Sequence, residues 1–146
     1  MKISEIKFDC KHFKGEIPCK PNKLRSKVCS SCNEYEKIQT RILIIKLGAI
    51  GDVMRSTPLL HRFKNDFPSP HITWVTLTPE ILPKDWIDDI YRFDFTSVYK
   101  VQNTEYDIAI NLDKDKEACM LLQNVKAKQK FGFTWKDNHV SIATPH

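Results

Sequence analysis

Long apolar runs are missing from this 146-residue chain. A helix that crosses a bilayer needs roughly 18 to 20 consecutive apolar residues, and the longest stretch here, Ile42 to Leu47, is interrupted by Lys46. No transmembrane anchor is therefore predicted. The first residues, Met1-Lys2-Ile3-Ser4-Glu5, lack the apolar core of a secretory signal, which predicts a cytoplasmic protein. No internal repeat or low-complexity tract occurs. Two phosphate-binding fingerprints are also absent: there is no G-x-x-x-x-G-K-[ST] and no G-x-G-x-x-G, which argues against a Walker-type NTPase and against a standard dinucleotide site. What remains is an ordinary globular composition, 41% hydrophobic and 28% charged. A chain of this size buries roughly two thirds of its unfolded surface, enough for one domain and an appendage.

Charge and cysteine mark the appendage. Residues 1–40 hold nine of the 23 Lys and Arg and five of the 18 Asp and Glu, leaving fourteen and thirteen for residues 41–146. Cys10, Cys19, Cys29 and Cys32 lie in that basic segment, and only Cys119 lies outside it. The expected division is thus 1–40, a Cys-rich extension, and 41–146, an α/β domain. A reduced compartment disfavours disulfides, so the four clustered thiols read as metal ligands, most simply of a structural zinc ion. The pair Cys29-Ser30-Ser31-Cys32 has the short spacing with which two thiolates grip one ion. The segment is otherwise rich in Lys, Pro and Asn and has little apolar area to bury, a deficit that metal binding offsets. An iron–sulfur cluster and unligated thiols are the other readings. Nucleic-acid binding is disfavoured, because the charge excess is modest and Phe8, Phe13 and Tyr35 are the only aromatics there.

From Arg41 the pattern changes to RILIIKL, a β-branched run of buried-strand type. A glycine turn follows, and then Ile50, Val53, Met54, Thr57, Leu60, Phe63 and Phe67 recur at helical spacing up to Pro68. Residues 71–77 (HITWVTL) read as a second strand, which completes the minimum of a parallel α/β sheet. Residues 78–93 read as a loop with short helical pieces, 94–101 and 106–112 as strands, 114–125 as a helix and 129–133 as a last strand. The tail shows no clear element. Cys119, beside Ala118 and near Leu122, reads as a small core residue. Pro58 reads as a bend in the first helix.

Open parallel sheets bind ligands at the carboxyl ends of their strands, and Gly48 and Gly51 sit at such a place. Glycine permits positive φ and close approach of a substrate, and the amides of a helix start attract anions. Asp52 follows. A carboxylate is favoured in a first helical turn by the helix dipole, so it serves either as a cap or, with a hydroxyl placed within ~3 Å, as a general base.

The string KLGAIGDVMRSTPLLHRFKNDFP, residues 46–68, resembles the N-terminal signature of glycosyltransferase family 9, the heptosyltransferases of lipopolysaccharide core assembly. The matching elements are a lysine ending the first strand, the Gly-x-x-Gly-Asp turn, Pro58-Leu59-Leu60 and Phe67-Pro68; Tyr106–Ile110 and Phe131-Gly132-Phe133 resemble later strands of the family. The likeness covers about residues 41–135 and is most specific in its first third. It implies a Rossmann-like parallel sheet, the N-terminal half of a GT-B fold. It further implies that Asp52 is the general base and that Lys46, Gly48, Ala49, Ile50 and Gly51 line an acceptor cleft. The implied reaction is inverting transfer of a heptose-type sugar from an ADP-sugar to a lipopolysaccharide core or related glycan acceptor, with peripheral association at the cytoplasmic face of the inner membrane.

Family members bind the nucleotide-sugar in a second half, which this sequence does not contain. The expectation is therefore the acceptor-side half of a longer enzyme, inactive alone. The competing reading is a zinc-containing binding module that contacts nucleic acid or protein, with the α/β unit as scaffold; a third is a nucleotide-binding enzyme of another class using the same turn.

Overall fold

The computed structural model describes residues 2–143 and divides the chain into two units, Met1–Gln39 and Thr40–His146. Among its described residues the first contains one α-helix, α1 (Lys20–Arg25), with Cys19 at its N-cap and Pro21 near its start, and two short 3₁₀ turns. Pro21 is its only buried residue among those described. Polar contacts hold it instead. Arg25 donates twice to Glu34, at 2.7 and 2.6 Å. The Tyr35 hydroxyl donates to Asp9 at 3.0 Å, and an isolated antiparallel bridge joins Cys10 to Lys37.

The second unit opens with β1 (Thr40–Ile45), followed by α2 (Ile50–Ser56), α3 (Leu59–Asp66) and β2 (Pro70–Thr76). Then come β3 (Asp89–Arg92), α4 (Phe95–Gln102), β4 (Glu105–Asn111) and α5 (Lys116–Asn124). A hairpin of β5 (Lys126–Lys136) and β6 (His139–Ile142) ends the described chain. The sheet order is β3-β2-β1-β4-β5-β6, with every pair parallel except β5–β6. This is the Rossmann-like order, in which the chain reverses direction across the sheet between β1 and β4.

Continuous burial of β1 and β2 follows from cover on both faces. Leu43 and Ile45 join Val101, Leu121 and Leu122 beneath α4 and α5, whereas Ile42 and Ile44 meet Val53, Leu60, Phe63 and Trp74 on the side of α2 and α3. Cys119 is fully buried, and desolvation pushes its thiol pKa up, as expected of an inert core cysteine. Among the described residues no helix is long and apolar enough to cross a membrane.

Four expectations require correction. The helix expected over 50–67 is two helices. Pro58 has no N–H to donate to the Met54 carbonyl four residues back, and the Thr57 hydroxyl and amide satisfy that oxygen instead, at 2.7 and 3.2 Å. Val53, Leu60 and Phe63 are buried, whereas Ile50 and Met54, expected on the same face, are exposed. Residues 94–101 form α4 rather than a strand: Asp94 caps it by accepting the Ser97 N–H at 2.8 Å. Strand β3 lies inside the stretch expected to be loop. The tail forms β6 because Asp137 and Asn138, both at positive φ, make a two-residue hairpin turn.

Candidate functional site

Where neighbouring parallel strands send their helices to opposite faces, their carboxyl ends leave a crevice. Here that place is between β1 and β4. The chain leaving β1 stays pinned: Lys46 N–H donates to Val75 O, Leu77 N–H to Leu47 O, and Leu112 N–H to Ile45 O. Only from Gly48 does it become accessible, and Ala49 to Asp52 are exposed.

Asp52 is the third residue of α2, and its side chain is 55% exposed. Among the described residues it pairs with Arg55 at 3.4 Å, one helical turn on and itself 84% exposed. Such a pair holds the carboxylate weakly, being screened by solvent. Ile50 and Met54, both more than half exposed, flank it on the same short helix. Spaced four residues apart, Ile50 and Met54 share one face of α2, whereas Asp52, two residues from each, projects from a different side of the same exposed turn.

The glycines of the turn behave differently from expectation. Neither Gly48 nor Gly51 has positive φ, and a Cβ built on either would meet nothing within 4 Å. Neither a left-handed backbone nor a steric clash at Cβ demands glycine at these two positions. Open space in front of both leaves room for a ligand to approach the backbone closely.

Lys46, expected to face substrate, turns instead into the protein. Its ammonium pairs with Asp113, and the two side chains are only 10% and 6% exposed. The same carboxylate accepts the Leu47 N–H through its other oxygen, so Asp113 fastens the last residues of β1 to the loop after β4. Asn111 in turn holds Asp113. Its side-chain oxygen accepts the Asp113 N–H at 2.9 Å, while its amide donates to Asp113 O at 2.9 Å and to Phe133 O at 2.7 Å. Lys46, Asn111 and Asp113 thus build a buried polar frame under the crevice. Sequence reasoning missed the last two. Asp113 was visible as an acidic residue just past a strand, but its link to Lys46 depends on β1 and β4 being neighbours.

A second opening, of about 370 Å³, is lined by Arg41, Glu105, Asp107, Lys126 and Lys128. It lies at the amino ends of β1, β4 and β5, opposite the end where open α/β sheets bind ligands. Two of its charges, on Asp107 and Lys128, face each other. Asp107 accepts the Arg41 N–H at 2.8 Å and faces Lys128 at 3.2 Å. The Arg41 N–H is the larger of the influences that hold its pKa low.

The zinc centre expected in the N-terminal unit is not displayed. Among the described residues no group of three or more His, Cys, Asp or Glu side chains stands close enough together to hold a metal ion. The structure nevertheless places Cys10, Cys19, Cys29 and Cys32 around one small cavity, together with His12.

No family profile matches the chain, and no curated protein matches it. Solved structures do. The glycosyl transferase family 9 protein from Veillonella parvula DSM 2008 superposes with a TM-score of 0.55 at 23% identity, over 66% of this chain and 32% of that one. The E. coli heptosyltransferase WaaC, solved with ADP, gives a TM-score of 0.53 at 19% identity, over 67% of this chain and 36% of that one. At this identity the likeness is one of fold. The chain spans about a third of the length of the structures it matches, and it shares the fold of that part of them.

Proposed function

We propose that this chain is the acceptor-side half of an inverting glycosyltransferase, with Asp52 as its general base. The reading is supported above all by one observation: an exposed carboxylate at the carboxyl edge of the sheet, beside the β1–β4 reversal, whose side-chain partner among the described residues is an exposed arginine. The fold shared with a family 9 glycosyltransferase and with a heptosyltransferase solved with ADP points to the same reaction class. A heptose-type sugar on ADP is the proposed donor, and a lipopolysaccharide core or related glycan the proposed acceptor, met at the cytoplasmic face of the inner membrane.

In this reaction an acceptor hydroxyl is seated within hydrogen-bond reach of Asp52. As that oxygen forms its bond to the anomeric carbon, its proton passes to the Asp52 carboxylate. The bond from the anomeric carbon to the diphosphate breaks on the opposite face and its electron pair leaves with the diphosphate. Ile50 and Met54 offer apolar contact to the C–H face of a sugar ring. The open space before Gly48, Ala49 and Gly51 admits the ring to the backbone. Lys46 is assigned the role of positioning the turn through Asp113 rather than touching substrate. The groups that offset the leaving diphosphate belong to the donor-binding half, which supplies the electrostatic share of catalysis.

The test separates binding from transfer. Inner-core oligosaccharide titrated into this chain should perturb the amide signals of residues 48–54, and Asp52→Asn should leave that binding and the fold intact. With the donor-binding half present, Asp52→Asn should lower turnover about 10²- to 10⁴-fold, the range for loss of a general base. Undiminished turnover would remove Asp52 from the chemistry. Absence of any glycan response at the turn would sink the acceptor assignment.

A further inference from the structure

We propose that Cys10, Cys19, Cys29 and Cys32 bind one zinc ion as four thiolates, and that this ion serves as the core of the N-terminal unit. The proposal is independent of the transferase reading. It starts from what the unit lacks. Pro21 alone is buried among its described residues, while Phe8, Ile17, Leu24 and Val28 are each more than 40% exposed. A unit of this size without an apolar core needs disulfides, a metal or a partner to hold one structure. All four of its cysteines are free of disulfides.

Convergence is the second observation. Cysteines spread over more than twenty residues line one cavity of about 30 Å³. That is room for a guest the size of one atom or one water, and far too little for a nucleotide or a sugar. Local backbone geometry presents the thiols to it. Cys29 and Cys32 bracket a single 3₁₀ turn, which sets two ligands from one turn as zinc knuckles do. Cys10 begins a turn closed by the Phe13 N–H at 3.0 Å, and Cys19 stands at the N-cap of α1, whose side chain makes no capping bond. Binding draws the sulfurs inward to about 2.3 Å from the ion.

Charge completes the argument. Four thiolates around a divalent ion carry a net charge of about −2, and Lys7 lines the same cavity in a segment with nine basic against five acidic side chains. His12 also lines it, but its Nε2 stands 3.8 Å from Glu36, so it is assigned to the surroundings and not to the ligand set. A thiolate-only set favours a soft-ligand metal such as zinc over magnesium or calcium, and with all four positions filled the site is structural.

The full chain, purified under reducing conditions without added metal, should carry one zinc per molecule by elemental analysis. Exchange for cobalt(II) should give the intense thiolate-to-cobalt charge-transfer absorption and tetrahedral visible bands. The Cys29→Ser/Cys32→Ser double variant should lose the ion, and limited proteolysis within residues 2–39 should speed up about tenfold or more. Because Trp74, Trp86 and Trp135 all lie in the second unit, their unchanged fluorescence would show that the α/β fold survives. His12→Ala should keep the full equivalent of zinc. Iron with sulfide, paired disulfides, or a metal-free wild-type chain with four titratable thiols would each overturn the proposal, as would zinc lost on His12→Ala.

Discussion

At Gly132 the backbone has a φ of +92°, and a Cβ there would collide with the carbonyl oxygen of Asn111 on the neighbouring strand. At Gly48 and Gly51 φ is ordinary and a Cβ would enter empty space. All three glycines belong to motifs that carry the family resemblance, yet they answer to different demands. Gly132 lets β4 and β5 approach just where Asn111 reaches across to Phe133 O, so the fold dictates it. Neither turn glycine is dictated by φ or by a neighbour at its Cβ, which leaves open space there for what the turn meets from outside. Identity at a motif position therefore says little until the physical reason for it is known.

The sharpest way to break this contrast is to add one methyl group at each place. Gly132→Ala combines a left-handed backbone with a clash against main chain that cannot move without parting two strands. We expect a loss beyond about 4 kcal/mol, in the rare tail of single substitutions, read as a fall in the urea midpoint or as failure to fold. A well-folded Gly132→Ala protein would mean that β4 and β5 can separate at little cost.

Next in size is the frame under the crevice. Lys46→Met keeps the apolar stem but leaves the Asp113 carboxylate 6% exposed with only the Leu47 N–H from this corner as a neutral donor. Breaking a buried pair on one side costs about 3 kcal/mol or more. The double variant Lys46→Met/Asp113→Asn removes both charges and should recover part of that loss; a double-mutant cycle gives the coupling. Additive losses would show that the two groups do not stabilise each other.

Much of the sheet was legible because buried parallel strands read as unbroken β-branched runs: β1, β2 and β4 all fell where expected, as did α5. The errors share a cause. In α4 the residues Thr96, Val98, Tyr99 and Val101 are strand formers by composition, and they prevailed in the reading over the local cap at Asp94. In the tail, alternating Trp135 and Val140 gave little signal without recognition of Asp137-Asn138 as a turn. The candidate site was half legible. Asp52 and the glycine turn could be found locally, whereas Asp113 meets Lys46 and Leu47 across more than sixty residues of sequence and Asn111 reaches Phe133 on the next strand, and local periodicity contains nothing of strand order.

The smallest expected effect is the most informative about function. Gly51 is the second residue of α2, exposed, at an ordinary φ. Alanine there should stabilise the unit by about 0.5–1 kcal/mol, since it loses less backbone entropy and suits the helix better. A stabilising change retained against by the native residue points to a reason outside the fold. On the transferase reading that reason is the acceptor, which the added methyl would push away from the turn. Gly51→Ala should therefore raise the urea midpoint slightly while weakening the glycan response of residues 48–54. Should both stability and glycan binding rise, the turn would be a mere connection and the contrast with Gly132 would lose its functional half.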